Sequence, residues 1–196
     1  MSPDTVETFY GILALLAIGA IATVVVVRLL AIASPAAQGW YGAIAQLIRP
    51  NAVGMAFWIA LLATMGSLYF SEVAHFEPCK LCWYQRIAMY PLVVLLGIAA
   101  VRRDDGIRLY AGVLAAIGAV IATYHLALEW IPALDTGACG AGPACTVIWF
   151  RVFGFISLPM LALIAFLFII TLLAVRGPDA DEDVPADDEA PERSPE

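Results

Sequence analysis

Apolar residues in this chain gather into five long runs separated by short polar or turn-forming stretches. The runs extend from about Phe9 to Ala33, Val53 to Phe70, Trp83 to Val101, Ile107 to Leu128 and Gly154 to Val175. Each is near the roughly 20 residues that a helix needs to cross a bilayer. Lipid cannot satisfy free backbone polar groups, so each run predicts a membrane-spanning helix. The first is broken only by Arg28. A signal peptide is the competing reading, because Ala31-Ile32-Ala33 resembles a cleavage site. The leader Met1 to Glu7 is acidic where a signal peptide is basic, and the apolar stretch is too long for a signal core, so a retained helix is expected. Between the first two runs, Ser34 to Asn51 carries prolines, glycines and Trp40-Tyr41. That stretch predicts an interfacial connector with a short amphipathic helix from about Gly39 to Ile48.

Composition agrees with this class, since a chain that is 62% hydrophobic and only 14% charged is not a soluble globule. The net charge of −7 is concentrated at one end. From Gly177 to Glu196, nine acidic residues against one arginine give −8, which leaves +1 for everything before. The acidic, proline- and alanine-rich tail predicts a disordered extension. The balance elsewhere lacks the basic footprint of a nucleic-acid binder.

Five spans divide the connecting segments into two sets. One set holds Arg28, Arg49, Arg102, Arg103, Arg108, Arg176 and the tail; the other has only Lys80, Arg86 and Arg151 near its ends. The excess of arginine predicts that the first set is cytoplasmic. All four cysteines, Cys79, Cys82, Cys139 and Cys145, then belong to two loops on the extracytoplasmic side, where disulfides persist.

Cys79-Lys80-Leu81-Cys82 opens the third run, and Arg86 follows Cys82 by one helical turn. A helix N-terminus and a nearby cation both favour a thiolate, and residues four apart share a helix face. Three readings of the four cysteines stand open. A tetrathiolate metal site suits the Cys-x-x-Cys, although the five residues between Cys139 and Cys145 are a loose spacing for zinc. Passive disulfides would add little to helices already held by a bilayer, and a Cys-x-x-Cys ring closes too short a loop to stabilise much. Two redox-active pairs exchanging electrons need an accessible thiolate beside a disulfide, which two loops on one face can provide. The chain has no dinucleotide fingerprint, haem-type Cys-x-x-Cys-His or thioredoxin-like strand pattern. Electrons would therefore arrive from a soluble dithiol protein and leave to a lipid-soluble acceptor, a role that suits a quinone. Arg86 has its own bland reading, as a side chain snorkelling to headgroups.

The segment Cys79 to Pro91 (CKLCWYQRIAMYP) resembles the signature of the disulfide bond formation protein B family, closest to its BdbC-type members. Tyr124 to Glu129 resembles the end of that family's third core helix. Cys145 to Phe150 and Phe153 to Pro159 resemble its last loop and fourth core helix. The three motifs occur in the family's order, over about Val53 to Val175. A vitamin K epoxide reductase homologue would share the core and the quinone chemistry, but its loop cysteines precede the Cys-x-x-Cys.

The resemblance implies an all-α polytopic membrane protein with a four-helix core, to which the first apolar run adds one extra N-terminal helix. Residues 1–51 would form that helix and its connector, 52–176 the core and 177–196 the tail. It further implies a thiol:quinone oxidoreductase. An extracytoplasmic DsbA-like thioredoxin-fold partner would give its electrons to Cys139–Cys145, and Cys79–Cys82 would pass them to ubiquinone or menaquinone. By similarity, Cys82 faces the quinone, Arg86 stabilises it and orients a quinone oxygen, and His125 lies nearby. Met89, Tyr90 and Trp149 are candidates to line the quinone site, and Pro91 to kink the helix beside it. Cys139 matches the cysteine attacked by the partner. The Cys139–Cys145 gap is shorter than in the best-known members, so Cys145 stands as the alternative. Gln85 occupies a position that is acidic in other members.

Overall fold

The computed structural model describes residues 3–135, 137, 139–140 and 143–175. Arg176 and the acidic stretch that follows it lie outside the described residues. The described chain is helical, with α1 at Pro3–Ala33, α2 at Pro35–Ile48, α3 at Ala52–Leu68, α4 at Lys80–Arg102, α5 at Ile107–Trp130 and α6 at Leu158–Ala174.

Among the described residues, four helical stretches are long and apolar enough to cross a membrane: α1; the continuous run Pro35–Val73, which joins α2 and α3; α4; and α5. The fifth, α6, is apolar but only 17 residues long, about 26 Å at 1.5 Å per residue. It begins at Leu158, four residues later than the pattern suggested. Phe153 and Gly154 adopt left-handed backbone angles there, and Val152 and Ile156 pair across the tight turn that results. Pro159 in the first turn of α6 then suits a helix start. The connector helix α2 starts earlier than expected, at Pro35, because proline at the first helical position follows the extended Ser34.

Helices α3, α4, α5 and α6 pack in a ring, each against the next and α6 back against α3, while α1 lies outside against α6. Small residues set the spacing. Ala111, Ala115, Ala119 and Ala122 form one buried face of α5. A Cβ at Gly118 would overlap the ring of Phe166, which is fully buried. Without a strong hydrophobic drive between helices in lipid, such close approach is what holds them. Leu92, Leu96, Phe166 and Ile169 fill the centre, while Leu16, Val94, Val120 and other large apolar side chains face outward, as lipid contact requires.

The two ends of the bundle differ. At one end, Arg108 donates to the carbonyls of Leu173 and Val175 at the end of α6 and of Arg49 before α3. These bonds satisfy carbonyls that a helix terminus leaves unpaired. Arg102 and Arg103 close α4 at this same end, with Arg103 in the left-handed cap position. The opposite end carries the cysteines. There α3 continues as a π-helical turn over Tyr69–Val73, and the chain reverses at His75, whose φ is 57°.

Candidate functional site

Cys79 is the N-cap of α4. Its extended backbone turns the sulfur back over the first turn, where Sγ accepts the backbone N–H of Cys82 at 3.3 Å. The two sulfurs are 2.9 Å apart, and both cysteines are free, whereas Cys139 and Cys145 are joined in a disulfide. Cys79, Leu81, Leu128, Cys139 and Cys145 belong to one buried cluster, with Cys82 and Tyr124 packed at its edge. All four cysteines therefore converge at one end of the bundle.

His125 reaches this pair from α5. Gln85 Nε2 lies 3.1 Å from His125 Nδ1, and His125 Nε2 lies 3.6 Å from Cys79 Sγ. An amide N–H donating to Nδ1 puts the ring proton on Nε2, aimed at the sulfur. The Cys82 thiol donating to Cys79 is the largest influence on the Cys79 thiol, which is held far below its usual range, to about 4; His125 adds to this and burial opposes it. Cys79 is thus the favoured thiolate, chiefly through the Cys82 thiol and only in small part through the helix terminus, whereas the sequence pattern pointed to Cys82. As the N-cap, Cys79 places its sulfur where both the Cys82 thiol and the first-turn N–H reach it.

Arg86 is occupied differently from a snorkelling side chain. Its Nε donates to Ser67 Oγ at 3.0 Å and its Nη2 to the Ser67 carbonyl at 3.0 Å, and its guanidinium sits over the Trp83 ring. Tyr90 donates to the same Ser67 hydroxyl at 3.3 Å. Arginine offers five N–H donors, and these two bonds leave three for another acceptor.

Beside this arginine lies a cavity of about 420 Å³, bounded by α1, α3, α4 and α6. Its polar end holds Cys82, Gln85, Arg86, Tyr90, Ser67 and Glu77, and the rest of its wall is mainly apolar. Small-molecule sites commonly have volumes of roughly 300–1,000 Å³, an apolar lining and a few convergent polar groups. Phe70, Phe76 and Trp149 line it as a stack, with rings nearly parallel at centroid distances of 5.8 and 4.7 Å.

Of the residues picked out from sequence, Cys82, Arg86, Met89, Tyr90 and Trp149 all line this cavity. Cys79 and His125 do not. They border a small adjoining space of about 20 Å³, shared with Cys82, Glu129, Trp149 and Ser157. Glu129 lies one helical turn beyond His125 on α5. It accepts a 2.5 Å bond from Ser157 Oγ and faces Arg151 at 3.5 Å. Pro91 lies inside α4, where its missing N–H leaves the Ile87 carbonyl without a helical partner. Cys79 Sγ, Cys82 Sγ and a His125 ring nitrogen fall within 4.8 Å of one another, a donor set that could hold zinc. The four-cysteine site is not assembled, because Cys139 and Cys145 are bonded to each other.

Sequence reasoning missed Ser67, Phe70, Phe76 and Tyr10. A polar residue inside an apolar run is the available signal for Ser67. Thr64 gives the same signal three residues earlier, yet its hydroxyl is buried without a hydrogen-bond partner.

Comparison with known proteins bears on the whole arrangement. The family described as disulfide bond formation protein DsbB matches residues 49–176. A probable disulfide formation protein C 2 of Bacillus anthracis is 43% identical over 130 residues, covering 66% of this chain and 93% of the relative. The disulfide bond formation protein C of Bacillus subtilis (strain 168) is 46% identical over 129 residues, covering 65% and 94%. A probable disulfide formation protein C 1 of Bacillus cereus (strain ATCC 10987 / NRS 248) is 51% identical over 116 residues, covering 58% and 83%. No solved structure is significantly similar.

Proposed function

The chain belongs to the DsbB family of disulfide bond formation proteins, multi-pass membrane oxidoreductases, and we propose that it moves electrons from a thiol partner through two cysteine pairs to a membrane quinone. One observation carries this reading. The Cys79–Cys82 pair sits between two environments, with Cys79 packed in the cluster that contains the Cys139–Cys145 disulfide and Cys82 lining the cavity beside Arg86. A pair so placed can take electrons on one side and deliver them on the other.

The proposed partner is a DsbA-like thioredoxin-fold protein on the extracytoplasmic side. The arginines at the end of the bundle opposite Cys79 support that orientation through the positive-inside rule. A partner thiolate attacks the Cys139–Cys145 disulfide, with Cys139 as the proposed first target, and its second thiol completes the partner's own disulfide. The two electrons then sit on the Cys139 and Cys145 thiols, which reduce the Cys79–Cys82 disulfide by the same exchange. A thiolate stabilised on Cys79 favours the reduced form of that pair, which makes the pair the stronger oxidant and draws electrons inward.

The cavity fits the acceptor by size, by its apolar wall and by the cation at its polar end. A quinone bound there would accept two electrons and two protons and leave as quinol. Cys82 presents its sulfur to that space. Ser67 fixes Arg86 so that its remaining N–H groups can meet an acceptor oxygen. Met89, Tyr90 and the aromatic stack shape the pocket for a flat ring. His125 acts on the inner side, holding the charge on Cys79.

The test mixes purified protein, a reduced thioredoxin-fold partner and a quinone, and follows quinol formation. Wild type should form quinol and Cys82→Ser should not. Equal rates in the two proteins would refute the reading.

A further inference from the structure

Helix α1 lies outside the matched family region, which begins at residue 49. It nevertheless forms a wall of the cavity that holds Cys82 and Arg86, through Tyr10, Leu13, Ala14, Ala17 and Ala20. Two close approaches key it in place. The Tyr10 hydroxyl donates to the Leu62 carbonyl of α3 at 3.1 Å, and its ring lies so near α3 that a Cβ on Gly66 would come within 2.7–2.9 Å of it. On the other side, a Cβ on Gly11 would come within 2.8 Å of the Val152 side chain. Ala14 is buried with Ile156 and Ile164, and Val6 with Phe70 and Phe150.

The wall is long and graded. The ten steps from Tyr10 to Ala20 rise about 15 Å along the helix. The Tyr10 end is level with Phe70 and Gly66, near Ser67 and its bond to Arg86. Farther along, Ala14, Ala17 and Ala20 line the cavity together with apolar residues of α3 and α6, among them Ile59, Ala165 and Phe168. Larger side chains at those three positions would fill the space; alanine leaves it open. The result is a polar head compartment that continues into an apolar channel along α1.

We propose that α1 is the acceptor-selecting wall of this site, with Tyr10 closing the head compartment and Ala14, Ala17 and Ala20 forming the channel for the acceptor's isoprenoid tail. This rests on the reading of the cavity as the quinone site. The tail, not the ring, is what α1 recognises, so α1 gives the protein a preference for long-tailed quinones over tail-less ones.

The test compares a long-tailed quinone with a tail-less ring analogue in wild type, Ala17→Phe and Cys82→Ser, with a reduced thioredoxin-fold partner as donor. In Ala17→Phe, the KM for the tailed quinone should rise at least tenfold. The KM for the tail-less analogue and for the partner should stay within twofold. Equal changes for both acceptors, or none, would overturn the proposal. Wild-type protein supplies a second measurement that needs no variant. A quinone carrying a photoreactive group on its tail should label α1 between Tyr10 and Ala20, and adducts confined to α3–α6 would overturn the assignment. Cys82→Ser separates the two levels of the argument. If it still reduces both acceptors, the quinone-site reading fails. If it reduces neither while Ala17→Phe treats both alike, only the role of α1 falls.

Discussion

The geometry around Cys79 makes a quantitative claim that can be checked without partner or acceptor. A protein carrying Cys139→Ser and Cys145→Ser retains only Cys79 and Cys82 as thiols, and its reduced form can be titrated by the ultraviolet absorbance of thiolate. The Cys79 thiol falls from an ordinary value of 9.0 to about 4. At pH 6 an ordinary thiol of that kind is about 0.1% ionised, whereas one with a pKa near 4 is about 99% ionised. One thiolate equivalent should therefore appear with a midpoint near 4 and stay constant through neutral pH. The principal cause is the Cys82 thiol, so Cys82→Ala should move the midpoint upward most; His125→Ala should move it upward by less. Because the folded value lies below the unfolded one, the stability this thiolate lends the reduced form is complete above about pH 9. It is lost as pH falls through about 4. If no thiolate absorbance develops below pH 7, the account of Cys79 as a thiolate held chiefly by the Cys82 thiol and further by His125 is wrong.

Other variants probe separate parts of the structure. Replacing Arg86 with Gln keeps a donor but removes the charge and the paired bonds to Ser67. It should raise the apparent KM for quinone about tenfold or more, as the loss of a charged hydrogen bond of about 1.5–3 kcal/mol implies, and leave the KM for the partner unchanged. Ser67→Ala should act in the same direction but more weakly, visible in the same assay. With a partner that keeps only its attacking cysteine, the wild-type Cys139–Cys145 disulfide should open to a mixed disulfide that persists on a non-reducing gel and maps to Cys139, and an adduct on Cys145 would reassign the first target. In the core, Gly118→Leu forces a side chain into the fully buried Phe166 ring. It should cost about 1–3 kcal/mol or more, read as a lower unfolding temperature in detergent.

Most of the architecture was legible because membrane solvation writes helices into composition. The runs at 83–101 and 107–128 reappear as α4 and α5 with a few added residues at their ends. The arginine-rich stops are readable for the same reason, and Arg103 does end α4. Helix starts set by local backbone geometry were less legible. The turn at Phe153 and Gly154 delays α6, although the surrounding residues remain apolar. At the candidate site, the Cys-x-x-Cys-x-x-x-Arg spacing put Cys82 and Arg86 on one helix face, and both line the cavity. Spacing along one helix could not show that Arg86 would turn to Ser67 on α3, or that His125 on α5 would reach Cys79. Those contacts depend on how helices pack, as does the place of Tyr10, which lies 52 residues from the carbonyl it binds.

The central claim is that two spatially separate faces of one cysteine pair connect a thiol donor to a membrane acceptor. The most direct measurement is a single-turnover experiment with purified protein, excess quinone and a limiting amount of reduced thioredoxin-fold partner, recording partner disulfide and quinol together. The account predicts one quinol for each partner disulfide in wild type. In Cys82→Ser it predicts that the Cys139–Cys145 disulfide can still react with the partner but that no quinol forms. Quinol formation by Cys82→Ser, or partner oxidation by wild type without matching quinol, would contradict it.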